Sequence, residues 1–166
     1  MLWVFIVQIA LMGQRHGAPK NMELDQWYFP VEKIHMQESQ LMLKTDEGKA
    51  FGKPALFIGK CEGAATLIRK DNCNIYYRSS LSGIKKGTLQ FIVRGEGRFR
   101  ISVYSSAGFV STEVNLSEDP DTITIDLSKS VAITQHGGTD PLRIVFSPLT
   151  DSFRLEVSNF VLKEEE

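Results

Sequence analysis

The sequence has little that marks a chemistry on its own. It holds two cysteines and three histidines in 166 residues. Two thiols do not make a four-ligand zinc site, and Cys61 and Cys73 stand too far apart for the C-x-x-C of a redox motif. The chain has no Gly-x-Ser-x-Gly elbow, which argues against the strand–turn–helix nucleophile of an esterase. No apolar run reaches the ~18–20 residues of a membrane-crossing helix, which excludes a polytopic helical membrane protein. Charge of one sign is lacking too. Nineteen basic residues face twenty acidic ones, a net charge of -1. That excludes the strongly basic surface that non-specific nucleic-acid binding needs, and leaves room only for a local patch. Long helical periodicity is missing: no stretch beyond about ten residues repeats at 3.6.

What is present is ordinary for a folded domain. Hydrophobic residues make up 42% and charged residues 23%, which excludes disorder across the whole chain. At roughly 100–200 residues per domain, the length argues for one domain with at most an appendage. The apolar content is uneven. Residues 1–12 read MLWVFIVQIALM, followed at once by Gly13 and Gln14 and soon by Pro19. A run of that length suits the h-region of an export signal, although no Lys or Arg precedes it; the alternative is a buried first strand. Residues 1–19 are therefore set apart from the fold, which is expected over 20–163, with 164–166 as an acidic tail. If the chain is exported, Cys61 and Cys73 can pair across a loop, worth about 3 kcal/mol; otherwise they are unpaired thiols at strand ends. Asn115-Leu116-Ser117 is a glycosylation sequon of the kind that arises by chance.

Beyond Pro30 the pattern is short apolar alternation broken by turn residues. Gln40–Lys44 alternates around Leu41 and Leu43, Ala55–Ile58 is a short apolar run, and Ile75–Arg78 carries adjacent tyrosines. Thr88–Val93 places Leu89, Phe91 and Val93 on one face, and Arg98–Tyr104 does the same with Phe99, Ile101 and Val103. Arg94-Gly95-Glu96-Gly97 between them has the length and glycine content of a hairpin loop. Phe109–Val114 and the runs around Ile123, Ile144, Leu155 and Phe160 continue the alternation, while Glu62–Lys70 fits a helical turn or a strand. Roughly eight to ten short strands, spaced about 8–12 residues apart with dense turn chemistry, predict an all-β, antiparallel β-sandwich.

Candidate catalytic groups are sparse. His136 lies in a His-Gly-Gly run without the context of an oxyanion loop, and His16 and His35 have no metal-ligand spacing. Glu96, Glu113, Asp126 and Glu156 include no obvious acid pair for glycoside hydrolysis. Arg98 and Arg100 share the outward face of one strand, expected to be solvated, or else a weak site for acidic sugars. Aromatics are more informative. Side chains alternate along a strand, so Trp27-Tyr28-Phe29 and Tyr76-Tyr77 must each turn at least one ring away from the core. An exposed ring suits stacking on the apolar face of a sugar, whereas a buried one plugs the sandwich.

Several stretches, in order, resemble the galactose-binding-domain-like β-sandwich of carbohydrate-binding modules attached to bacterial polysaccharide-degrading enzymes. They are Asn21-Met22-Glu23-Leu24 with Trp27, Gly52-Lys53-Pro54-Ala55-Leu56-Phe57-Ile58, Leu81 to Gly97, and Val157-Ser158-Asn159-Phe160-Val161-Leu162. The resemblance implies a jelly-roll of two antiparallel sheets and a non-catalytic, secreted, periplasmic or surface protein that binds a polysaccharide or other glycan weakly. It names Trp27, Tyr76 and Tyr77 as sugar contacts. It further implies a structural Ca²⁺ held by oxygen ligands, with Glu23 and Asn159 the side chains at the matching positions. The family's opening Gly and Phe are absent, and Ser158 stands where an Asp is usual. The fold also serves structural and protein-binding roles, so a partner domain in an envelope or surface assembly is the alternative.

Overall fold

A computed structural model describes residues 23–64, 72–132 and 141–165. Their apolar alternation folds into strands that pack as two antiparallel sheets. One sheet has five strands: β1 (Gln26–Tyr28), β5 (Ile75–Ser82), β10 (Pro141–Pro148), β7 (Arg98–Ser105) and β8 (Gly108–Asn115), side by side in that order. The other contains β2 (Ile34–Glu38), β4 (Ala55–Lys60), β11 (Ser152–Val157), β6 (Gly87–Glu96), β12 (Phe160–Glu164) and β3 (Lys49–Phe51), and β9 (Asp121–Asp126) pairs along β6. The two-sheet antiparallel sandwich is the architecture that the alternation predicts.

Phe57, Phe91, Phe99, Phe146 and Phe160 meet between the sheets with Tyr77 and the inward aliphatics. Edge-on ring pairs fill this space, as with Phe91 and Phe160 at 5.3 Å and Phe99 and Phe153 at 5.1 Å. Cys61 and Cys73 form a disulfide, fully buried, that ties the end of β4 to the start of β5.

The structure departs from the sequence reading at several places. β6 and β7 do not form a hairpin. β6 lies in one sheet and β7 in the other, and Gly97, at a φ of 111°, turns the corner between them. Alternation cannot separate these cases, because strands in facing sheets bury toward the same interior. The tight hairpin is β7–β8, closed through Ser106-Ala107. Gln40–Lys44 is not a strand, and β2 and β3 on either side of it were not foreseen. Glu164 belongs to β12, paired with Gly87, rather than to a frayed tail. The apolar run 1–19 and most of Glu62–Lys70 lie outside the described residues.

β11 and β12 act as one bent strand. Both pair along the same edge of β6, and the break falls at Ser158-Asn159. There the Ser158 hydroxyl accepts from the Ile92 N–H at 2.8 Å, while the Ser158 N–H donates to the Ile92 carbonyl at 2.9 Å. A side chain thus takes over one rung of the ladder, which keeps both backbone groups satisfied at a buried bend.

Candidate functional site

The two outer faces of the sandwich differ in character. On the seven-stranded sheet, the segment between β2 and β3 lies against the outward side chains as a strap. The Asn159 carboxamide pins it, accepting from the Leu43 N–H at 2.8 Å and donating to the Leu43 carbonyl at 3.1 Å. The Ser39 hydroxyl donates to Glu156, whose other oxygen takes Arg94 Nε at 2.6 Å. The Arg94 hydrogen bond, assisted by Ser39, holds the Glu156 carboxyl below the ordinary glutamate range, against the opposing effect of its burial. Arg154 pairs with Glu118, and Lys163 pairs with Glu47. This face is laced with matched charges and partly covered.

The outer face of the five-stranded sheet is built differently. Because Trp27, Tyr77, Ile144, Val103 and Val110 point inward, their strand neighbours point out. Register aligns these neighbours into rows across all the strands. One row runs Gln26, Arg78, Arg143, Tyr104, Phe109, and the next runs Tyr28, Tyr76, Val145, Ser102, Ser111. At about 4.8 Å between strands the rows span roughly 19 Å. The Arg143 guanidinium sits over the Tyr104 ring, 4.4 Å from its centre, and Tyr104 stacks with Phe109 at 5.8 Å. Tyr28 is 44% exposed and lies 6.3 Å from Tyr76. Aromatic rings therefore stand at both ends of this face, with guanidiniums and hydroxyls between and with Tyr76 and Val145 buried in its middle. Nearer the sheet's end, Glu113 receives Arg98 at 2.5 Å and Arg100 at 3.1 Å. The hydrogen bonds from Arg98 and then Arg100 lower its carboxyl pKa.

The aromatics singled out from the sequence separate across the sheet. Tyr77 is 2% exposed and packs against Trp27, Phe51 and Phe160. Its burial, with the Asp25 charge adding to it, pushes the phenol up to about 12. Trp27 turns inward against Phe57, Tyr77, Phe146 and Phe160, and its indole N–H donates to the Lys53 carbonyl at 3.0 Å. Their rings face other rings of the core, Tyr77 buried and Trp27 half-buried. Tyr76 does lie on the outward side, yet it is only 2% exposed. Asn72 and Asn74 donate to its hydroxyl at 3.1 and 3.4 Å. The ring turned out of the Trp27-Tyr28-Phe29 run is Tyr28. Tyr104 and Phe109 were missed, although Tyr104 continues the polar phase of Arg98, Arg100 and Ser102, where an aromatic is out of place.

Glu23 and Asn159 are the side chains expected to hold calcium. Glu23 is exposed, and the Asn159 carboxamide is engaged at both its oxygen and its nitrogen by Leu43. Among the described residues, no three or more His, Cys, Asp or Glu side chains gather. The His136-Gly137-Gly138 run lies outside the described residues. No helix among the described residues is long and apolar enough to cross a membrane.

Comparison with known proteins finds no matching family model and no matching curated protein. Solved structures do match. A family 11 carbohydrate-binding module from Clostridium thermocellum, in complex with a β-1,3-1,4-mixed-linked tetrasaccharide, aligns at a TM-score of 0.51 and 16% identity over 87% of this chain and 92% of its own. TmCBM61 in complex with β-1,4-galactotriose aligns at 0.50 and 11% identity over 84% of this chain and 88% of that one. The CBM22-1–GH10 modules of Clostridium thermocellum xylanase 10B, with xylohexaose, align at 0.52 and 10% identity over 86% of this chain and 26% of that one. The chain has the β-sandwich fold of carbohydrate-binding modules. At these identities the likeness concerns the fold, so the function of this carbohydrate-binding-module fold rests on its own residues.

Proposed function

We propose that this chain is a non-catalytic glycan-binding domain whose site is the outer face of the five-stranded sheet. The carrying observation is the aligned pair of rows that puts Tyr28 at one edge and Tyr104 with Phe109 at the other. Flat rings offer the apolar face that a pyranose C–H surface stacks on, while Gln26, Ser102, Ser111 and the arginines supply hydrogen bonds that fix orientation. Weak binding to an extended chain suits rings spread across several strands better than capture of a small molecule does. The buried disulfide supports an oxidising, extracytoplasmic compartment, where polysaccharides occur.

Affinity electrophoresis tests the reading. The chain is run through native gels containing mixed-linked β-glucan, xylan, β-galactan or carboxylated polysaccharides, beside Tyr104→Ala and Tyr28→Ala. The expected result is retardation by at least one polysaccharide, weakened in both variants while their melting temperatures stay near that of the parent. Absence of retardation in every gel overturns it.

A further inference from the structure

The tripeptide Asn115-Leu116-Ser117 is not used by the proposed glycan-binding face, and no other asparagine in the chain has Ser or Thr two residues on. Chance can set such a tripeptide anywhere, the core included. Asn159 shows what the core does to an asparagine: it is 3% exposed, and Leu43 takes its carboxamide at both ends. Asn115 stands in a different place. It is the last residue of β8, the outermost strand of the five-stranded sheet. Leu116 packs partly buried against the core, while Asn115 and Ser117 on either side of it are exposed. Asn115 lies opposite Arg98 and points outward in phase with Glu113 and Ser111. Among the described residues, the outer edge of β8 carries one isolated bridge, Phe109 with Val131, at the far end of the strand. The chain just beyond Asn115 is fixed through its backbone. The Leu116 N–H donates to the Gly97 carbonyl at 2.8 Å, and the Ser117 carbonyl accepts from the Gly95 N–H at 2.8 Å. A substituent on the Asn115 amide displaces neither bond.

We propose that Asn115 is a modification site that accepts an N-linked oligosaccharide in a eukaryotic secretory compartment. Its Nδ2 attacks C1 of an oligosaccharide carried on a polyprenyl pyrophosphate. The N–C1 bond forms as the C1–O bond breaks, the pyrophosphate leaves with the electron pair, and the amide proton passes to a base of the transferase. The Ser117 hydroxyl completes the tripeptide that the transferase reads. The buried disulfide between Cys61 and Cys73 fits the same oxidising compartment. Transfer to a chain entering that compartment precedes folding, so what the fold must supply is room, and an exposed strand end supplies it. The position has two consequences. The glycan is rooted beyond Glu113, roughly 20 Å along β8 from Phe109 at about 3.3 Å per residue, so its attachment does not displace the aromatic rows. It also sets a bulky, solvated group on an edge strand, where it hinders edge-to-edge pairing with another chain. None of this depends on the outer face binding glycans.

The test secretes the full chain from yeast or insect cells behind a cleaved export signal, beside Asn115→Gln, Ser117→Ala and Ser117→Thr. The expected result is slower gel migration of the parent and of Ser117→Thr than of the other two. Peptide N-glycosidase removes the difference and leaves the tryptic peptide 101–129 deamidated at Asn115, as read by mass spectrometry. The glycosylated parent melts at or above the temperature of its glycosidase-treated form. Where a variant is poorly secreted, translation with microsomes gives the same comparison, because transfer does not await folding. Equal migration of the parent and Asn115→Gln, unchanged by the glycosidase, overturns the proposal, and so does a glycan that survives Asn115→Gln. A melting temperature lowered by the glycan overturns the claim that the strand end has room for it.

Discussion

Glu156 joins three elements through one carboxylate: β11, on which it sits, β6 through Arg94, and the strap through Ser39. The Arg94 hydrogen bond holds its folded pKa below the unfolded value, so the sign of the linkage is fixed. Its contribution is fully present above the ordinary carboxylate value of about 4.3 and is lost as pH falls through the depressed one. We expect denaturant midpoints to fall between about pH 6 and pH 3. In Glu156→Gln the fall should be shallower and the midpoint at neutral pH lower. Glu113, Glu47 and Asp126 also have depressed values and are present in both proteins, so the difference between the two curves isolates Glu156. Identical curves would mean the contact contributes nothing. Glu156 looked like one solvated carboxylate among several in the sequence, because its partners Ser39 and Arg94 are distant along the chain. The Tyr76-Tyr77 pair was half legible. Alternation requires one ring to leave the core, but which one depends on β5 pairing with β1 and β10, and pairing is not written in the dipeptide.

At the scale of elements, the strap is the part of the fold held by side chains instead of a ladder. Asn159 presents an amide to Leu43 as a neighbouring strand would, with one donor and one acceptor at 3.1 and 2.8 Å. Replacing Asn159 with Ala strands both backbone groups and opens a gap at a site only 3% exposed. We expect a loss of about 1–3 kcal/mol, with hydrogen exchange accelerated at Leu43 before any strand of the sandwich. Asn159→Asp should restore the bond to the Leu43 N–H and lose the one to the carbonyl, giving an intermediate value. A variant as stable as the parent would contradict this. The strap explains why Gln40–Lys44 misled: Leu41 and Leu43 alternate as a strand does, yet the hydrogen bonds come from Ser39 and Asn159. The β6–β7 corner misled for a related reason. Apolar periodicity reports which face is buried and is silent on which sheet does the burying.

For the whole molecule, the sandwich needs little beyond its aromatic core and the disulfide. Cys61 and Cys73 close a short loop and are buried, so the bond acts mainly by restricting the unfolded chain. Reduction, or the double change Cys61→Ser with Cys73→Ser, should lower stability by about 2–4 kcal/mol without abolishing the sheets. Loss of far-UV strand signal at room temperature would show that the core alone does not suffice. Fold class and antiparallel character were legible in the sequence because they follow from period and turn chemistry. The proposed binding face was not, because it exists only once register brings Tyr28, Arg143, Tyr104 and Phe109 from separate strands into adjoining rows. The claim that this face binds glycans is tested most directly by NMR titration of the labelled chain with a polysaccharide fragment that retards it in gels. The account predicts shift changes concentrated at Tyr28, Arg78, Ser102, Tyr104, Phe109 and Arg143. Changes confined to the strap and the outer face of the seven-stranded sheet would contradict it.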